Sequence, residues 1–354
     1  MGPILRAFAA TVCLCSLFTP ALAERLRIQS LDGPGSIATT GLEKLADELR
    51  SASGGEIDIE VLPVRSAVGP AATLDAMKSG ALDGHYSSPA YFARKDPAFA
   101  LLGDTLAAFP DPETRDRWFS ESRGIEYARK LYDQHGIHLI GTVYWPEEWL
   151  VANRPATLTI DLSGRKIRAP DGPISDLLTR IGARTVTLSG REALAKLEEN
   201  EIDATDWATL AKNIETGAHA HAKFAIRTRH SMPVTEISLS NDAWNRLSPR
   251  AQKLFENKVQ AFSQSQKAAF DSAFAAARAE ARKQGVTLLD LSKTSQAKLR
   301  DAALAVFAEW GEKSPAAKDI AASQRAYLER LGLVAPASAD GASAGTSDTG
   351  DTGG

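Results

Sequence analysis

Residues Leu162–Trp207 read LSGRKIRAPDGPISDLLTRIGARTVTLSGREALAKLEENEIDATDW and alternate short strand-like runs with helical ones. Lys166-Ile167-Arg168 is a short strand stopped by Ala169-Pro170. A proline has no N–H with which to continue a ladder, so Arg168 falls near the carboxyl end of its strand. That edge is where open α/β sheets take ligands. A guanidinium there offers a planar fork of donors that fits a carboxylate and keeps its charge at physiological pH. From the residues alone, the alternative is an arginine salt-bridged on the surface at a strand end. Further along, Ser189-Gly190-Arg191-Glu192 has the S-x-x-E form of a capping box and fixes a helix start.

The pattern extends in both directions. Upstream, Arg25–Leu31 alternates as a strand, Gly33-Pro34-Gly35 breaks the chain, and a helix runs from about Ile37 to Ser51. A second strand alternates Ile57, Ile59 and Val61 with acids and stops at Pro63, before a helix from about Pro70 to Lys78. The segment Leu74–Gly84 (LDAMKSGALDG) matches Leu194–Ala204 (LAKLEENEIDA), with Gly80 facing Asn200, Leu82 facing Ile202 and Asp83 facing Asp203. Each copy ends a helix at a residue tolerant of the left-handed conformation and then starts a strand. Two α/β lobes built alike explain the match. Downstream, Ser248-Pro249 caps a helix that runs without glycine or proline to about Gln284. At about 1.5 Å per residue it would reach roughly 50 Å, enough to span both lobes. Further helices follow over about Ser292–Lys313 and Ala316–Leu331.

The two ends are of another character. Met1–Ala23 has the layout of a cleaved secretory signal: Arg6, an apolar run from Ala7 to Phe18, Pro20, and Ala21-Leu22-Ala23 as cleavage site. The run of about 12 residues is short of the roughly 20 that span a bilayer. The last twenty residues carry almost no apolar bulk and read as a disordered tail. Both cysteines, Cys13 and Cys15, lie in the signal, which excludes a disulfide framework or a thiol nucleophile in the remainder. A formal charge of −3 gives no footprint for nucleic acid or an anionic membrane.

Three tracts carry a family resemblance: Gly164–Pro170 (GRKIRAP), Glu201–Trp207 (EIDATDW) and Tyr91–Phe99 (YFARKDPAF). They resemble the DctP-type solute-binding proteins of tripartite ATP-independent periplasmic (TRAP) transporters, closest to the branch that binds α-keto and α-hydroxy acids. The resemblance implies a two-lobed periplasmic-binding-protein-like α/β fold with mixed sheets, a hinge and a long lobe-spanning helix. It implies an extracytoplasmic receptor in the periplasm that captures a small monocarboxylate, a 2-oxo or 2-hydroxy acid, and delivers it to a membrane permease. It makes Arg168 the ligand's carboxylate anchor and Tyr91 a cap from the opposite lobe. Asp206 and the Trp207 carbonyl become holders of a Ca²⁺ or Na⁺ ion touching the ligand. The expected division is a signal at 1–23, lobe I at 24–147 plus about 236–258, lobe II at 148–235 plus about 259–334, and a tail at 335–354.

Two glutamates depart from the family pattern. Dicarboxylate- and sialic-acid-binding relatives resemble one another in a second arginine where this chain has Glu148, and the keto-acid branch has a neutral glutamine at the position of Glu147. A two-arginine clamp on a dicarboxylate is thus not expected. Either glutamate could complete a cation site with Asp206, pair with Arg168, or meet a positive group on the ligand; Glu148 is taken as a ligand contact and Glu147 as a metal contact. Two carboxylates and a carbonyl would favour Ca²⁺ over Na⁺. Trp145 and Trp149 flank these acids and either line the cleft or fill the core. The histidines, His219-x-His221 and His230 among them, lack the companions of a zinc site. A sensor for a signalling receptor is a second reading. A third is an acid/base enzyme using Asp206, Glu147, Glu148 and Arg168, although no G-x-S-x-G, P-loop or H-E-x-x-H motif supports it. The long helix could also serve a homodimer.

Overall fold

The computed structural model describes residues 25–336, so the expected signal, and all but the first two residues of the expected tail, lie outside the described residues. Eleven strands form two mixed sheets among the described residues. They are β1 (Leu26–Gln29), β2 (Ile59–Leu62), β3 (Gly84–Ser87), β4 (Ile137–Val143), β5 (Trp149–Ala152), β6 (Lys166–Arg168), β7 (Arg184–Val186), β8 (Ala204–Ala208), β9 (Phe224–Arg227), β10 (Thr235–Ser240) and β11 (Thr287–Asp290). The first sheet has the order β2-β1-β3-β10-β4 and the second β11-β9-β5-β8-β6-β7. In each, three parallel strands (β2, β1, β3 and β7, β6, β8) meet one antiparallel strand that arrives from the other lobe, β10 or β5. The chain crosses between the sheets twice in extended form, at residues 144–148 and 228–234.

The internal match in the sequence is a match in structure. The carboxylate of Asp83 accepts the N–H of Arg27 at 2.9 Å, and that of Asp203 accepts the N–H of Lys166 at 2.8 Å, so each acid extends a parallel ladder by one bond. Gly80 and Asn200, which precede the two acids, both have positive φ, 74° and 57°. The asparagine tolerates that conformation because its short polar side chain can bond locally.

The Pro249–Lys283 helix, capped by Ser248, packs Ala251, Phe255, Val259 and Phe262 on the first sheet's core and Ala277 and Ala281 on the second's. Between these stretches, Phe270 meets Trp145 and Phe274 meets Trp149, with centroids 4.9 and 5.9 Å apart. Lys293–Gly311 lies on the Pro173–Arg180 helix of the second lobe. Pro315–Arg330 packs instead on the Ala98–Gly103 and Gly124–Asp133 helices beside the first sheet, where the sequence division has it with the second lobe. Tyr327 stacks there on Phe109, which is buried like Trp118. The C-terminal helices therefore brace both lobes.

Candidate functional site

A cavity of about 320 Å³ opens between the lobes at the two crossovers. Arg168 lines it from the end of β6. Its Nε donates to the Leu188 carbonyl at 3.0 Å and its Nη1 to the Asp206 carbonyl at 2.5 Å. Two backbone acceptors fix the plane of the guanidinium, and among the described residues no carboxylate pairs with it.

Trp207 and Asp206 reach the cavity from β8. The indole of Trp207 lies on the start of the capped Gly190–Glu198 helix, where a Cβ at Gly190 would stand 2.7 Å from Trp207 Cη2. A glycine is required at that helix start for the indole to lie flat. Asp206, 2% exposed, bonds His230 Nε2 through Oδ1 at 2.8 Å. Burial pushes its carboxyl up, but the facing His230, the Glu148 carboxyl and Arg168 together hold it below the usual range.

Glu148 joins from the first crossover, its N–H donating to the Ser231 carbonyl of the second. Burial, then the neighbouring Asp206 and Asp104 carboxylates, hold Glu148 well above its ordinary value. Ser231 Oγ stands 2.6 Å from Asp104 Oδ2 and 3.2 Å from Glu148 Oε2. Asp104 Oδ1 accepts the N–H groups of Leu106 and Met232 at 2.7 and 2.9 Å. Burial pushes this acid up too, although three donors favour its charged form. The first lobe contributes Tyr91, 42% exposed, from the short Pro89–Phe92 turn capped by Ser88, and Trp145 adds a second aromatic wall.

Of the residues singled out in the sequence, Arg168, Trp207, Tyr91, Glu148 and Asp206 thus line one cavity. Glu147 does not. Neighbouring residues of an extended chain point to opposite sides, and Glu147 faces away from the cavity into an ion pair with Arg227, with Arg229 Nε 3.6 Å from its other oxygen. The cation set of Asp206, Glu147 and the Trp207 carbonyl therefore does not converge. One Asp206 oxygen is taken by His230, and no group of three or more His, Cys, Asp or Glu side chains among the described residues could hold a metal ion. The set expected with Glu147 is not assembled. Trp149, the other flanking tryptophan, packs on Phe274 behind the hinge. Asp104 and Ser231 are site residues without a signal in the sequence, and His230, set aside there as a zinc ligand, enters the site as the partner of Asp206.

The chain matches the family of bacterial extracellular solute-binding proteins, family 7 (DctP), over residues 29–314, and belongs to it. Its function class is accordingly a binding protein and not an enzyme. Among solved structures, it is similar to a TRAP periplasmic solute-binding protein from Rhodobacter sphaeroides in an apo open form. That likeness has 29% identity and a TM-score of 0.79 over 88% of this chain and 100% of the other. A TRAP solute-binding protein from Rhodoferax ferrireducens with bound malonate shares the fold at 21% identity and a TM-score of 0.76, over 86% and 99% of the two chains. A curated relative, a monocarboxylate 2-oxoacid-binding periplasmic protein from Nostoc sp., is 23% identical over 63% of this chain. The match spans 62% of that relative's length.

Proposed function

We propose that the protein is the extracytoplasmic receptor of a TRAP transporter, working in the periplasm after removal of residues 1–23. It captures a small acid with one carboxylate, of the 2-oxo or 2-hydroxy class, in the cleft between its lobes. It then hands the acid to a membrane permease. The observation that carries this reading is the fixed guanidinium of Arg168 in the interlobe cavity, with its plane set by the Leu188 and Asp206 carbonyls. Such a fork receives both oxygens of a carboxylate. The name of the Nostoc relative supports the ligand class.

Arg168→Lys keeps the charge and loses the fork, so it should weaken binding of the preferred acid by more than about tenfold. Calorimetry of both proteins against a panel of carboxylates measures this, and equal affinities would remove Arg168 from the site.

A further inference from the structure

The charges of the cavity do not balance for a simple anion. Asp104, Glu148 and Asp206 all line it, and the cations that could offset them are few. His230 is taken by Asp206. Arg168 directs two donors to backbone carbonyls and bonds no carboxylate. Arg227 and Arg229 serve Glu147 outside the cavity. Asp104 is satisfied by two N–H groups and a hydroxyl, which leaves Glu148 as the least provided acid. Its partners are Ser231 Oγ, whose single proton Asp104 holds at the shorter distance, and the neighbouring Asp206 carboxyl. Like charges a few ångströms apart in a partly buried site repel strongly. Glu148 therefore favours its neutral form unless a cation meets it, and a ligand that brought only a carboxylate would not supply one.

We propose that the ligand is a small zwitterion: its carboxylate sits on Arg168, and a cationic nitrogen, protonated or quaternary, sits against Glu148 between Trp145, Tyr91 and Trp207. This rests on the Arg168–carboxylate contact of the reading above and departs from it in the second group, a cationic nitrogen in place of the 2-oxo or 2-hydroxy oxygen. Three independent features agree. The acids are opposed by one anchored guanidinium in the same cavity, which gives the cleft two poles. Three aromatic side chains line the cavity, and an aromatic face there would attract a desolvated cation. Among the described residues, no group of three or more His, Cys, Asp or Glu side chains assembles a metal site that would supply a positive charge. A cationic nitrogen can supply it.

The test uses isosteres. Glycine betaine and 3,3-dimethylbutanoate have the same shape and differ in a quaternary nitrogen replaced by carbon; 2-aminobutyrate and 2-oxobutyrate form a second pair. Calorimetry is run on the ligand-stripped protein in chelator-containing, sodium-free buffer and again with added Ca²⁺ or Na⁺. In at least one pair the zwitterion should bind at least about tenfold tighter without metal, the scale of one charge-assisted contact. Glu148→Gln, close in shape and able to accept from Ser231, should erase that ratio while circular dichroism shows an intact fold. Arg168→Gln should abolish binding of all four.

Tighter binding of the carbon and oxo analogues would overturn the proposal while leaving the Arg168 reading in place. So would a preference that survives Glu148→Gln, or binding that appears only with Ca²⁺ or Na⁺. If none of the four binds under any condition, the carboxylate reading of Arg168 falls together with it.

Discussion

The ends of β1 and β6 occupy equivalent places in the two lobes and do different things. Arg27 and Lys166 are matched by their bonds to Asp83 and Asp203, which makes Gln29 the counterpart of Arg168. The repeat likewise makes Val68 the counterpart of Leu188. Gln29 Nε2 donates to the Val68 carbonyl at 3.0 Å, and its Oε1 accepts the N–H groups of Ala67 and Val68. Arg168 Nε donates to the Leu188 carbonyl at the same distance. Both side chains tie down the loop that leads to the next helix. The neutral amide is consumed by that task at 2% exposure, whereas the guanidinium has donors left over and lines the cavity. One frame, used twice, places a cation in the cavity of the second lobe through a single longer, charged side chain.

Copying the first lobe into the second should have the largest effect. Arg168→Gln preserves an amide donor for the Leu188 carbonyl but removes the charge and the fork, so ligand affinity should fall by about a hundredfold or more. Calorimetry alongside a thermal melt distinguishes loss of binding from loss of fold. A variant that binds as wild type would show that the difference between the two strand ends has no functional meaning.

The next difference is at the helix starts. Trp207 corresponds to Ser87 and Gly190 to Pro70, so the small residue and the large one have exchanged places between the lobes. Gly190→Ala would press a methyl group into the indole, an overpacking that costs about 1–3 kcal/mol in stability and displaces a cavity wall. Pro70→Ala should change stability by less than about 1 kcal/mol. Urea denaturation of the two variants sharpens the contrast, and equal costs would undo it.

A smaller effect tests what the lobes share. Asp83→Asn and Asp203→Asn each weaken a charge-assisted bond to a backbone N–H, and both should cost about 1–2 kcal/mol. Markedly unequal urea midpoints would break the equivalence on which the comparison of Gln29 with Arg168 rests. The smallest effect is confined to the second lobe. His219 is buried, with Nδ1 2.8 Å from the Ala222 carbonyl, and burial lowers its pKa. The unfolded chain therefore takes up its proton first, near pH 6.5, and stability should decline as pH falls below that value toward the folded pKa. In His219→Gln this part of the decline should vanish, and a superimposable pH profile would exclude it as the source.

Much of this was legible because periodicity and punctuation act locally. Pro170 ends β6 beside Arg168, the Ser189 and Glu192 box starts its helix as read, and the uninterrupted run after Pro249 is a helix of 35 residues. The matched tracts brought Asp206, Trp207 and Tyr91 to one cavity. What escaped lies in the crossovers and the loop that braces them. Asp104 follows an apolar helical turn like any surface acid, and its partners Ser231 and Met232 are far along the chain, with nothing local to announce the meeting. The choice between Glu147 and Glu148 also depends on it: the Glu148 N–H is held by the Ser231 carbonyl, and that long-range bond decides which carboxylate turns inward.

Arg115 adds a mechanical consequence. Its guanidinium is fully buried and donates to the Pro233 carbonyl of one crossover and, at 3.0 Å, to the Trp145 carbonyl of the other. Sliding one crossover past the other would cost a buried guanidinium two backbone acceptors and leave it the Asp116 carboxylate. Twisting both about a common line leaves those bonds intact. The two crossovers are therefore pinned to each other through one side chain, which opposes shear between them.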